Sequence, residues 1–361
     1  MDPKKNERVR KLKNKGVNNV SVVDGSVVVD VSNPQVKKGN KDMNEEVKIQ
    51  SGVGLDVGTA FLVSARLNEK SEAVFKSYRD AFFTIKPVSA INAKFIEKGL
   101  TERGFDFVYS DDVFTVAGEG AVVLANERMD SVRRPLSRGV ISAKERYAIP
   151  MLKRIIQNLV GEPVIKGEKC VYSIPAPAVD NDTTVTYHTT IINNFLFELG
   201  YTPMSLNEGE AVCYAELMDY NLTGISLSFG AGMANLAIMS AGDPLIKLAV
   251  GAGGDFIDAQ AGKSTDITPE LVPQEKENEN FDLNSPKGPI QEAIVIHYVD
   301  LVEYVLKQLA YELNKLKDNK KLAIFKEPLV VAISGGTSKP KGFLNLFNTC
   351  LAKVSLPVGI K

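Results

Sequence analysis

Two short turns hold the residues whose types and spacing point to chemistry. Asp56-Val57-Gly58-Thr59 follows an apolar run, and Gly230-Ala231-Gly232 interrupts a second apolar run roughly 170 residues later. Glycines at 58, 230 and 232 let the backbone approach an oxyanion with no Cβ in the way. Two such turns facing each other can cradle a phosphate chain with their N–H groups. A carboxylate at Asp56 suits Mg²⁺, which keeps much of its water shell and takes few direct protein ligands. Alone, an Asp-x-Gly-Thr describes an ordinary hairpin turn equally well.

Other glycine clusters fail on sterics. Gly262-Lys263-Ser264 ends like a P-loop, but the leading glycine of that motif falls on Ile257. Gly251-Ala252-Gly253 opens like a dinucleotide fingerprint, and Phe256 fills the position that has to be small. The two histidines, His188 and His297, are too far apart in sequence for a His-Glu-x-x-His metal site and leave a Ser-His-Asp hydrolase little to work with. Cys170, Cys213 and Cys350 are scattered, against a disulfide framework or a structural zinc site. Lys and Arg total 43 against 44 Asp and Glu, so a net charge of −1 provides no field toward nucleic acid or acidic membranes.

The turns need elements to hold them. VGLDVGTA and FLVSARLN read as strand, turn and strand, and ISLSFGAGMANLAIMS repeats the unit. The uncharged window Tyr220–Gly242 is therefore two strands around a glycine turn, not a membrane span. Further strands are expected at AVFKSY, FDFVYS, VFTVAG, KCVYSIP, MSLN, LIKLAV and EPLVVAIS. Helices are expected at 143–160 (Tyr147, Met151, Ile155 and Leu159 at helical spacing), 183–199, 208–220, 253–261, 289–317 and 342–352. Residues 264–286 are polar and read as an exposed insertion. Strands alternating with helices, with one unit used twice, predict an α/β fold built from a duplicated domain. Residues 1–50, with a basic start and an Asp24-Gly25 hairpin candidate, read as a flexible extension.

Three more motifs stand in order around the turns: Asn207-Glu208-Gly209-Glu210-Ala211 opening a helix, Gly253-Gly254-Asp255-Phe256 before a helix, and Ser334-Gly335-Gly336-Thr337 after an apolar strand. The ordered set resembles the actin-like ATPase superfamily over residues 53–361, and looks most like its bacterial filament-forming members such as MreB, ParM and MamK. The resemblance implies a duplicated two-lobed fold with a nucleotide cleft between lobes at 51–220 and 221–361. ATP and Mg²⁺ are the implied ligands. Asp56, Gly58 and Thr59 match phosphate-1, with Asp56 on the metal. Glu208, in connect-1, matches the acid that orients the attacking water. Gly230, Ala231 and Gly232 match phosphate-2. Gly253, Gly254 and Asp255 match the loop beside ribose and adenine, and Gly335, Gly336 and Thr337 the adenosine motif.

The chain departs from the pattern at phosphate-2, where Ser228 replaces a carboxylate and Met233 and Ala234 replace hydroxyls. The family also continues past a segment like SLPVGI by a closing helix, which is missing before Lys361. The implied protein is cytoplasmic, has no transmembrane segment, binds ATP or ADP, and assembles with itself into filaments with an unidentified cargo or adaptor. Its hydrolysis is slow. The alternatives are an actin-like adaptor of the FtsA or PilM kind, which binds ATP structurally and recruits partners, or a small-molecule kinase of the same superfamily.

Overall fold

The computed structural model describes residues 20–23, 26–29, 52–182, 184–325 and 328–361. Strands β1 (Val20–Val23) and β2 (Ser26–Val29) pair antiparallel, with Val23 opposite Ser26. The basic start and the Asp24-Gly25 turn lie outside the described residues. Met1–Gln50 with Leu67–Val74 forms one compact unit, and Ser51–Arg66 with Phe75–Lys361 forms the other. All candidate site residues belong to the second.

In β3 (Gly52–Val57) every second side chain, Val53, Leu55 and Val57, is buried, so Asp56 emerges on the opposite face at the strand's end. β4 (Phe61–Leu67) returns antiparallel beside it, and β5 (Ala73–Arg79) takes the sheet edge. β6 (Phe82–Ile85), β7 (Phe107–Ser110) and β8 (Val113–Ala117) make a separate sheet in the order β6-β8-β7. It packs with α1 (Ala90–Glu102) and α2 (Glu119–Glu127) around Phe83, Leu100, Phe114 and Leu124. The hairpin β9 (Leu136–Ser137) and β10 (Val140–Ile141) leads to α3 (Ala148–Val160). β11 (Lys169–Ile174) then pairs parallel with β3, and after α4 (Val185–Glu198), β12 (Thr202–Asn207) pairs parallel with β11.

The second sheet repeats the first. After α5 (Glu208–Glu216) come β13 (Gly224–Phe229), β14 (Ala234–Ser240) and β15 (Asp243–Val250), an antiparallel meander. The helices α6 (Gly254–Thr265), α7 (Val272–Lys276) and α8 (Gly288–Asp318) follow. β16 (Val331–Ser334) then joins parallel to β13, and α9 (Phe343–Leu351) packs behind. Neighbour orders β11-β3-β4-β5 and β16-β13-β14-β15 are the same arrangement used twice. Each sheet has its own core: Leu55, Tyr172, Ile155 and Leu196 in the first, Leu227, Ile257, Leu309 and Phe343 in the second.

Two expectations need correction. Segment 264–286 is not an exposed insertion: Val272, Phe281 and Leu283 are buried, and the Lys276 ammonium sits inside against Asp258 at 2.6 Å. Its polar average hid three irregularly spaced apolar anchors. Helices α1 and α2 were read only as part of a mixed region. Of the thirteen residues in α1, Leu100 alone is buried, so the helix has no apolar stripe to betray it. Among the described residues, no helix is long and apolar enough to cross a membrane.

Candidate functional site

The C-terminal ends of parallel strands are where α/β sheets bind ligands, and both sheets deliver the singled-out residues there. In the first, β3, β11 and β12 run parallel and end on Asp56-Val57, Ser173-Ile174 and Asn207. The Ser173 hydroxyl donates to Asp56 Oδ1 at 2.7 Å and accepts the Val57 N–H at 2.8 Å, fixing the carboxylate at the head of the turn. A Cβ on Gly58 would meet Phe61 O at 2.6 Å, so this hairpin is as tight as the motif implies.

Glu208 opens α5, yet it does not cap it. Asn207 does: its side chain accepts from the Gly209 N–H at 3.0 Å and the Glu210 N–H at 3.4 Å, while Glu210 accepts the Asn207 N–H. Such a capping box contributes about 1 kcal/mol and leaves Glu208 free for other work. Glu208 Oε2 accepts from Asn235 Nδ2 at 2.7 Å, and Asn235 Oδ1 in turn accepts the Ala176 N–H at 2.9 Å. Asn235, 1% exposed on β14, is the residue that sequence reading missed. Its signal was its place in a buried strand just past the phosphate-2 turn.

Asp56 and Glu208 come within electrostatic range of each other. Asp56 is exposed and Glu208 half-buried by accessible surface, yet protein packs closely around both carboxyls. Burial therefore raises both carboxyls. For Asp56 the Ser173 hydroxyl opposes the rise. Glu208 is pushed up to about 8, first by burial and then by the Asp56 charge, against the Asn235 amide. A cation beside them would favour the ionised form of each.

In the second sheet, β13 and β16 run parallel, with Ser228 beside Ser334, and lead into the two glycine turns. The Gly254 N–H donates to Gly230 O at 3.0 Å, the Asp255 N–H to Ala231 O at 2.8 Å, and Thr337 Oγ1 to Gly230 O at 2.9 Å. The 230–232 turn, the 253–255 loop and the 335–337 turn are thus one knot. Only glycine fits at two of its points. A Cβ on Gly253 would meet the Gly230 and Ala231 carbonyls at 2.5 Å, and Gly335, at φ +100°, would drive one into Phe229 O. Gly336, by contrast, is exposed, with nothing within 4 Å of its Cβ position.

The two turns meet. A Cβ on Gly232 would touch Thr59 Oγ1 at 2.6 Å and Gly139 N at 2.8 Å, and Thr59 Oγ1 already accepts the Gly139 N–H at 3.1 Å. Thr59 and Thr337 therefore spend their hydroxyls on backbone partners, and both are buried. Asp255 turns its carboxylate to Arg134, with Nη1 at 2.8 and 3.0 Å from the two oxygens. Met233 is buried with Ala176 and Ala249. Among the described residues, no group of three or more His, Cys, Asp or Glu side chains is placed to hold a metal ion. One carboxylate with water and ligand oxygens is still a normal Mg²⁺ environment, so Asp56 fits that ion.

No curated protein is significantly similar to the chain in sequence. Among solved structures it resembles the MamK double helical filament, with TM-score 0.57, 16% identity, and coverage of 84% of this chain and 91% of that one. It also resembles MreB5 of Spiroplasma citri bound to AMPPNP, at TM-score 0.57, 14% identity and coverage of 85% and 95%. The ADP-bound form of MreB5 gives TM-score 0.53, 15% identity and coverage of 84% and 94%. The fold is the duplicated, two-lobed actin-like ATPase fold. Residues 52–361 match the family described as Volactin, and the chain belongs to that family.

Proposed function

We propose that this protein is an actin-like cytoskeletal ATP-binding protein that adds head-to-tail into filaments in the cytoplasm and hydrolyses ATP slowly. The lobes are taken as residues 51–220 and 221–361. The observation that carries the reading is the pair of fixed carboxyls at the end of the first sheet, Asp56 held by Ser173 and Glu208 by Asn235, with Gly232 of the second turn against Thr59 of the first. Bound ATP supplies an activated phosphoryl group and Mg²⁺ offsets its charge. Within this chain, the Gly230 N–H closes its own turn onto Met233 O, so the amides of residues 58–59 and 231–232 would bind phosphate oxygens, the open side of Gly336 would receive the base, and Asp56 would hold Mg²⁺ through water. Glu208, held at Oε2 by Asn235, orients a water and takes its proton at Oε1. The nucleotide-bound MreB5 structures and the MamK filament support the ligand class and the assembly.

Slow turnover follows from phosphate-2. Ser228 carries no charge, and Met233 and Ala234 present buried apolar groups where the superfamily offers hydroxyls. Removing one preorganised polar group commonly costs roughly 10²–10³ in rate. The same residues favour the adaptor as a second reading, because amides alone can hold a nucleotide. Sedimentation with ATP, ADP and no nucleotide separates the two. Filaments are expected to pellet with ATP and less with ADP. A thermal shift with Mg-ATP but no pellet under any condition assigns the adaptor role. Gly336→Arg, which fills the open slot, should abolish the shift, and an unchanged shift removes the assigned site.

A further inference from the structure

One charged side chain lies between the two turns, bonded to the second and within electrostatic range of a carboxyl on the first, and the proposed chemistry does not use it. Arg134 lies just before β9 and donates from Nη1 to both oxygens of Asp255. Asp255 is fastened to phosphate-2, since its own N–H donates to Ala231 O at 2.8 Å. A second carboxylate stands on the other side. Asp80 is fastened to phosphate-1, its N–H donating to Ala60 O at 2.9 Å. Asp80 is completely buried. Its Oδ2 accepts the Leu136 N–H at 3.0 Å, two residues beyond Arg134, and its Oδ1 has no hydrogen-bond partner.

A buried acceptor left unsatisfied is costly, so the empty Asp80 oxygen needs an account. Burial holds this carboxyl well above the ordinary range, against the opposing pull of the Leu136 N–H and Arg134, while Asp255 adds to the rise. Arg134 is thus within electrostatic range of Asp80. The nearby Lys276 is committed to Asp258 at 2.6 Å and to Gly254 O at 3.2 Å. Of the three acidic side chains within range of Arg134, Asp258 is held by Lys276; the other two, Asp255 and Asp80, are each hydrogen-bonded through the backbone to a different turn, and Arg134 bonds only the first.

We propose that Arg134 is a two-position latch between the phosphate turns. It engages Asp255 when the turns are close, as here, and passes to Asp80 when they part. The latch belongs to the empty protein, and only its coupling to ligand rests on reading the turns as the nucleotide seat.

The three native cysteines are buried, so spin labels on Lys98→Cys in α1 and Lys317→Cys in α8 of the full chain report the separation selectively. Asp80→Asn should shift the distance distribution toward the closed population and tighten AMPPNP binding about fivefold. Asp255→Asn should move both readouts the opposite way by a similar factor. In an Arg134→Gln background neither substitution should move the distance. Shifts in the same direction, or shifts that persist without Arg134, overturn the latch. Opposed shifts in a protein that binds no AMPPNP keep the latch and sink the nucleotide reading. Binding without opposed shifts does the reverse. Should Asp80→Asn fail to fold, Arg134→Lys replaces it: loss of the planar guanidinium should weaken the Asp255 grip and broaden the distances, and an unchanged distribution overturns the proposal.

Discussion

The turns at 56–59 and 228–233 occupy equivalent places in two sheets of the same topology, and their side chains differ. The first keeps a carboxylate, Asp56, fixed by Ser173 at the head of a tight hairpin. The second keeps its backbone, locked into the 253–255 and 335–337 turns, but its side chains are the half-buried Ser228 and the buried Met233 and Ala234. Duplication preserved what geometry demands, since the turns must meet at Thr59 and Gly232. Asn235, one strand position beyond Ala234, supplies a polar contact from the second half, donating to Glu208. A turn can thus lose its side-chain chemistry while its amides, which depend only on backbone shape, persist.

The largest expected effect tests the first half of that contrast. Glu208→Ala should lower phosphate release roughly 10²–10³-fold or more while Mg-ATP still raises the melting temperature; brisk release in this variant would falsify the assignment of the water-orienting group. Gly335→Ala attacks the backbone that the second half retained. With φ at +100° and the Phe229 carbonyl in the way, it should cost at least about 1–3 kcal/mol, read by denaturant unfolding. An unchanged midpoint means the knot of turns is looser than described.

Asn235→Ala sharpens the comparison by cutting the strut between the halves. It leaves the Ala176 N–H and Glu208 without their partner, so a loss of roughly 1–3 kcal/mol is expected, with turnover down about tenfold from a misaimed carboxylate. Asn235→Asp is the check, because it places a second charge beside Glu208 and should be worse for stability than for packing. Ser228→Asp, which restores the superfamily's carboxylate, should raise turnover by about tenfold or less, since Met233 and Ala234 remain. No change would put the deficit on the missing hydroxyls.

The remaining effects concern pH and have opposite signs. Glu208 is raised in the folded state, to about 8 from an ordinary carboxylate value, so the empty protein binds extra protons there and loses stability as pH rises across that window. Glu208→Gln should flatten this decline. His188 is fully buried with neither ring nitrogen hydrogen-bonded, and burial lowers it to about 4. Its contribution is present above about pH 6.5 and is lost as pH falls toward 4. His188→Leu should make unfolding less acid-sensitive, and an unaltered acid limb moves the sensitivity to the carboxylates.

The strand-turn-strand units were legible because period-2 burial in β3 and a run of apolar residues in β13 and β14 are one-dimensional signals. So were α3 and α8, whose apolar faces recur at helical spacing. Helix α1 was not, because it buries a single residue. Segment 264–286 was misjudged because composition averages over position: Lys276 counts as polar wherever it lies, yet here it is enclosed with Asp258.

The amino-acid order by itself determined the duplicated α/β plan, the five glycine-bearing motifs and their sequence along the chain. These follow from local sterics, since which residue tolerates a tight turn and which pattern fills a sheet are decided within a few positions. Only the tertiary structure decided the partnerships: Ser173 with Asp56, Asn235 with Glu208, Arg134 with Asp255 in preference to Asp80. Each joins residues 27 to 121 positions apart. Hydrogen bonds and ion pairs act over a few ångströms in space, and sequence distance carries no information about them until the strands have been laid side by side.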